Sequence, residues 1–236
     1  NRCSASGGAA PTGYSLVADA ALLDDLVYLT EFPTPIVGSF DPKFLDLPRE
    51  VLTTVMRHHQ RYFTLSGADG SMAPAFVAVM NIKADRQGFV RKGNERVLEA
   101  RFNDARFFWE FDQQKPVAAR VEDLKSVTFQ ARLGSYYDKA VRMKELAAAL
   151  AGKLGADAGV CVRAAELSKC DLTTEMVKEL TELQGVMGGL YARSQGEPEA
   201  VAQAIYSHYL PQSMEDPIPA TLEGRVVSLA DKLDTL

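Results

Sequence analysis

At Gly93 the apolar residues of this chain change period, and that change sets what it can fold into. Before it, short runs read as strands at Thr34–Phe40, Arg61–Leu65 and Ala75–Asn81, the last two joined by hairpin chemistry in Gly67-Ala68-Asp69-Gly70. Two helices accompany them. One spans Leu16–Leu29 and opens at Asp19; the other starts at Leu47-Pro48-Arg49-Glu50 and runs to about His58. After Gly93, Leu98, Phe102, Ala105 and Trp109 recur at helical steps, thickened by Phe107, Phe108 and Phe111, which predicts a helix packed in a core. Pro116 ends it, and the remainder reads as entirely α: Val117–Lys125, Tyr137–Leu154, Gly159–Glu182, Glu197–Tyr209 and Thr221–Leu236. The fold class is therefore α+β, a small mixed α/β N-terminal region followed by an all-α helical domain. The expected organisation is a flexible tail over 1–13, an α+β region over 14–112 and the helical domain over 113–236.

The stretch Ala164–Ala192 carries the most unusual polar residue. Read as one long helix broken at Gly185, it places Ala164, Leu167 and Asp171 on one face, and Leu172, Met176, Leu180, Leu183 and Met187 in an apolar row. Asp171 is then drawn inward, where a carboxylate needs a partner such as Lys169 or Lys232. The pair Gly188-Gly189 reads as part of a flexible helix–helix joint, not a phosphate loop, because it follows a helix and no G-x-x-x-x-G-K-[ST] string is present.

Composition limits the partners. No apolar run reaches the roughly 20 residues a membrane span needs, so no membrane partner is expected. The net charge of −5 argues against a dedicated DNA- or RNA-binding module but leaves room for a local basic patch. Ile82–Arg106 is such a region, with seven cations against four acids, and a solvated helix face explains it equally well. Cys3, Cys161 and Cys170 show no pairing pattern and read as reduced thiols, the latter two on opposite faces of a helix. The start, without Met or a signal-length apolar core, reads as that of an internal fragment from a cytoplasmic protein.

Asp171, Asp231 and Asp234, on two helices, resemble the acids of the HD phosphohydrolase superfamily, in which His and Asp side chains bind metal and activate water. The ligand set departs from that family, because Cys170 stands where its histidine belongs and His58, His59 and His208 lie elsewhere. Asp171 and Asp231 are thus expected to be vestigial acids. The alternative is a metal-dependent phosphohydrolase using Asp171 and Asp231, perhaps with Asp234, and a weakly held Mg²⁺.

A second resemblance covers nearly all of the chain. Gly93-Asn94-Glu95-Arg96-Val97-Leu98, Asn103-Asp104-Ala105-Arg106-Phe107-Phe108, Leu167-Ser168-Lys169-Cys170-Asp171-Leu172, Leu183-Gln184-Gly185-Val186-Met187-Gly188 and Ala230-Asp231-Lys232-Leu233-Asp234-Thr235-Leu236 resemble blocks of the bacterial glycyl-tRNA synthetase β subunit. The resemblance implies an HD-like helical domain in a subunit that recognises tRNA(Gly), within a hetero-oligomer of α and β subunits. It places ATP, Mg²⁺ and glycine on the α subunit, so no cofactor and no catalytic residue are expected in this fragment, which resembles the middle of the subunit. The candidate tRNA contacts are Arg57, His58, His59 and Arg61, which mix cations with hydrogen-bonding rings, and Lys139 and Arg142, three apart on one helical face. For the first group, helix capping by histidine is the competing reading.

Overall fold

The computed structural model describes residues 13–236; most of the expected 1–13 tail, and Cys3, lie outside the described residues. Two compact units divide between Phe107 and Phe108, inside a helix and not at the expected 112/113 boundary at that helix's end.

The first unit is built on an antiparallel sheet of β1 (Tyr14–Leu16), β2 (Thr34–Ser39), β3 (Phe63–Gly67) and β4 (Met72–Met80), in the order β1-β3-β4-β2. β3 and β4 form the expected hairpin. Helix α1 (Ala20–Leu29) begins where Asp19 accepts from the Leu22 N–H at 2.9 Å, and its Leu22 and Leu26 pack on Phe63, Val77 and Val79. Gly38 has a steric reason, because a Cβ there would lie 2.3 Å from the Phe76 ring, which Tyr62 stacks against. Helix α2 (Arg49–Thr54) continues into a wide turn over Val55–His59, after which Arg61 takes a left-handed φ of 56°.

Helix α3 (Phe89–Asp112) buries Leu98, Phe102 and Ala105, with Phe102 against Phe40 and Phe44. The wider aromatic stripe is only partly core: Phe107 is 60% exposed and Phe111 45%, since they fall off the face that Leu98 and Phe102 define.

The second unit holds α4 (Tyr136–Leu154), α5 (Ala158–Leu167), α6 (Glu175–Glu179), α7 (Val186–Ser194), α8 (Glu199–Ser207) and α9 (Leu222–Thr235). Local chemistry sets their ends. Ser135 and Asp138 form a capping box at α4, Gly155 closes it at φ 75°, and Asp157, Thr174 and Thr221 cap α5, α6 and α9. Helices α4, α5, α8 and α9 pack on one another, and α7 packs along α8.

Two expectations need correction here. The unit is not entirely α, because β5 (Thr128–Gln130) and β6 (Gly134–Ser135) pair as a small hairpin before α4, and Val117–Ser126 is two short 3₁₀ turns. Nor is 159–182 one helix. It stops at Leu167, makes a 3₁₀ turn over Cys170–Thr173, and restarts at α6 because the Thr174 hydroxyl accepts from the Val177 N–H. The apolar row survives the break, since Met176, Leu180, Leu183 and Met187 are all buried. Cys161 and Cys170 are both buried free thiols on different elements.

Candidate functional site

The inward-drawn acid is real, and its partner is backbone. Asp171, 1% exposed, accepts through Oδ2 from the N–H groups of Gly185 at 2.6 Å and Gly188 at 3.1 Å. Those amides open α7, whose N-cap residue Gly185 has no side chain to serve them, so Asp171 caps the helix from another turn of the chain. Burial pushes its carboxyl up to about 6 against these donors. The glycines are therefore not a flexible joint. Gly185 holds φ 79°, and a Cβ on it would meet the Tyr209 ring at 2.7 Å; one on Gly188 would meet Ile205 at 2.9 Å.

Lys169 turns to Asp231 and not to Asp171. Its Nζ lies 2.9 Å from Asp231 Oδ2, 2.9 Å from His208 Nε2 and 3.8 Å from the Tyr209 ring centroid. The His208 Nδ1 sits 2.6 Å from the Ile205 carbonyl, which fixes its proton there and leaves Nε2 to accept from the ammonium. Burial, then the Lys169 charge, holds the imidazole down to about 3, so it is neutral at pH 7. Burial is the main cause that holds Lys169 down to about 8, even with the Asp231 carboxylate pulling it up.

Beside this pair, Lys139 is 2% exposed and lies 3.0 Å from Asp231 Oδ1, 3.1 Å from Asp234 Oδ2 and 2.8 Å from the Thr235 hydroxyl. Arg142 grips Asp234 with Nε and Nη2 at 2.5 and 3.1 Å. Burial pushes both α9 acids up, but the cations around them outweigh it and leave each below the usual carboxylate range. Three cations (Lys139, Arg142, Lys169) thus meet two carboxylates (Asp231, Asp234) beside a neutral histidine, while Asp171 keeps to its backbone amides. Lys232 takes no part in this pairing, and donates to the Leu210 carbonyl and the Ser228 hydroxyl.

This arrangement corrects the outward placing expected of Lys139 and Arg142 and bears on the phosphohydrolase alternative. Lys139 does not face outward, because Asp231 and Asp234 enclose its ammonium, and Arg142 is spent on Asp234. A metal does not fit either: an ammonium already lies against His208 and Asp231, while Asp171 serves backbone amides. Among the described residues no group of three or more His, Cys, Asp or Glu side chains is placed to hold a metal ion. His208, which the sequence reading set aside, joins the cluster from 39 residues away along the chain.

Asp112 was likewise missed. Its buried carboxylate accepts from the N–H groups of Glu175 and Met176, both at 2.9 Å, and from the Tyr191 hydroxyl at 3.0 Å, beside Arg120. An acid between an aromatic helix and Gln113-Gln114 was the only signal in the sequence.

In the first unit the two candidate arginines turn back on acids at α1. Arg57 Nε meets Asp19 at 2.5 Å and Nη1 lies 3.1 Å from His58 Nε2, while Arg61 pairs with Asp25 at 2.9 Å. His59 and Arg61 line an open recess of about 480 Å³ together with Gln60, Asn81 and Asn94. This group and the Lys139–Arg142 pair belong to different units.

Residues 4–236 match the family model described as glycyl-tRNA synthetase beta subunit. The chain belongs to that family. A glycine–tRNA ligase beta subunit of Acidobacterium capsulatum is 53% identical over 225 residues, 92% of this chain and 32% of that protein. Those of Chromohalobacter salexigens and a Sulfurihydrogenibium species are 47% and 48% identical over 93% and 94% of the chain. The chain spans about a third of the length of these relatives (32% of the first two and 33% of the third). The family accounts for the ordered sequence blocks, and two of them, Leu167–Leu172 and Ala230–Leu236, supply Lys169, Asp231 and Asp234 to the buried ion cluster.

Proposed function

We propose that this chain is the central part of a glycine–tRNA ligase β subunit, working in the cytoplasm, and supports ATP-dependent attachment of glycine to tRNA(Gly) by holding tRNA and docking an α subunit. The family match across residues 4–236 carries the reading. The buried chemistry is in keeping with a supporting role. Asp171, Asp231 and Lys169 are enclosed and paired, so they serve architecture and leave adenylate formation, with its ATP and Mg²⁺, to the α subunit.

On this reading tRNA meets the first unit at the recess of His59 and Arg61, with Arg57 and His58 beside it. There Arg61, about half exposed, offers a cation to phosphate and the rings offer stacking surfaces. Lys139 and Arg142 act indirectly, by fixing α9 against α4. The test is glycylation of tRNA(Gly) by the full-length subunit mixed with its α partner. The expected result is charging that needs both subunits, with a raised KM for tRNA in His59→Ala/Arg61→Ala. No gain in charging over the α subunit alone would sink the proposal.

A further inference from the structure

The first unit contains a second concave surface, a cleft of about 690 Å³ between the free edge of β2 and the segment 83–92 that leads into α3. Lys83, Arg86, Arg91 and Lys92 line it, all exposed, with Asp85 the one acid among its lining residues. That acid is spent: its Oδ2 accepts from the Arg91 N–H at 2.9 Å, and backbone donors at the start of α3, Arg91 first, hold its carboxyl below the usual range. Lys83 sits 5.8 Å from the Phe32 ring centroid. Among the described residues no carboxylate pairs with Arg86, Arg91 or Lys92. In a chain of net charge −5, an unneutralised cluster of this kind gathered around a cleft is a site for a polyanion.

The strand edge shows which polyanion. Ser39 N–H points away from β4, donating to Glu95 Oε1 at 3.0 Å, while Phe40 N–H points inward to the Pro74 carbonyl. Alternation along the strand then turns the nitrogens of Val37 and Pro35 outward with that of Ser39. Pro35 has no N–H and Ser39's is taken, so of these three outward positions only Val37 offers a donor. With one donor left among them, these positions give strand addition by an acidic peptide little backbone hydrogen bonding. What remains is recognition by side-chain charge, which suits the evenly spaced phosphates of a nucleic acid.

We propose that this cleft is a track for the phosphodiester backbone of RNA, held by Arg86, Arg91 and Lys92. Taking tRNA as the RNA rests on the function proposed above. The first experiment follows binding of a fluorescent tRNA(Gly) transcript to the 236-residue chain by anisotropy across a salt series, with Arg86→Gln/Arg91→Gln/Lys92→Gln alongside. We expect the variant to bind roughly tenfold or more weakly and its log–log salt slope to flatten by about 2 to 3, for three lost phosphate contacts. Equal affinity and slope in both proteins overturns the proposal, as does parent binding of poly-glutamate without binding of RNA. The second experiment places the three substitutions in the full-length subunit and measures glycylation with the α partner. A raised KM for tRNA with unchanged KM for glycine supports the track. An unchanged KM for tRNA in an enzyme that charges overturns the track and leaves the functional reading intact. A parent assembly that does not charge, while the chain still binds RNA through these cations, overturns the functional reading and leaves the track intact.

Discussion

Replacing Lys169 with methionine keeps most of the side-chain volume and removes one buried charge, so it isolates what the ammonium does. Asp231 Oδ2 loses the nitrogen 2.9 Å away, and His208 Nε2 loses its donor. Breaking a buried pair by removing one partner costs about 3–5 kcal/mol, mostly the stranded charge. Lys139 remains 3.0 Å from Asp231 Oδ1, so the carboxylate keeps one cation and the cost falls near about 3 kcal/mol. For a unit of this size that lowers Tm by roughly 10 °C. The single tryptophan makes the assay clean: Trp109 stacks on Tyr191 at 5.0 Å inside the second unit, so its fluorescence reports the unfolding of that unit. The loss should also depend on pH. With the Lys169 charge gone, one of the two largest influences holding His208 down disappears, and the imidazole takes a proton more readily. A protonated His208 restores a cation near Asp231, so the variant should be penalised more at pH 8 than at pH 6. A loss below about 1 kcal/mol, or one equal at both pH values, would refute the placement of a charged Lys169 between His208 and Asp231.

Four further outcomes follow from the same geometry. Gly185→Ala combines positive-φ strain with the Tyr209 clash and should cost several times more than Gly155→Ala, which has a similar φ and open space; parallel urea titrations compare them. For His208 the unfolded imidazole protonates near 6.5 and the folded one only near 3, so the unfolded state binds more protons between these values. Stability then falls as pH drops through that window, and His208→Gln should shrink the loss between pH 7 and pH 4.5 in thermal melts. Asp112→Asn removes the charge that two α6 amides and the Tyr191 hydroxyl share, at a cost of about 2 kcal/mol read from Trp109 fluorescence in urea. Cys161 and Cys170 should resist iodoacetamide until the chain unfolds, because burial raises both thiols, Cys161 to about 11; peptide mapping by mass spectrometry decides.

Sequence patterning exposed what depends on neighbours and concealed what depends on partners far along the chain. The opening of α1 at Asp19, the β3–β4 hairpin and the inward turn of Asp171 all rest on residues within a few positions, and all were legible. The break after Leu167 was not: Asp171 is drawn off to the amides of Gly185 and Gly188, fourteen and seventeen residues on, and the chain restarts where the Thr174 hydroxyl accepts from the Val177 N–H. Strands of three and two residues are too short for period 2 to register, so β5 and β6 went unread in the gap between the helices expected over Val117–Lys125 and Tyr137–Leu154. Lys139 read as a surface cation because lysine on a helix usually is one. Only folding brings Asp231 and Asp234, more than ninety residues away, against it.

The same partners explain why these charges lie inside. Lys139 and Arg142 on α4, Lys169 at the turn after α5, His208 at the end of α8, and Asp231 and Asp234 on α9 join four separate segments through directed contacts. Apolar packing holds helices together but tolerates sliding, since one leucine contact can replace another. An ammonium shared between a carboxylate and a neutral imidazole has no substitute one turn along, so a shift of α9 by a turn would strand Lys139, Lys169 and both acids together. The cluster therefore sets register. This predicts a sharp contrast: Asp231→Leu alone should fall well below the parent in Tm, and Lys169→Met/Asp231→Leu should recover much of the loss, because no charge is left unpaired between them.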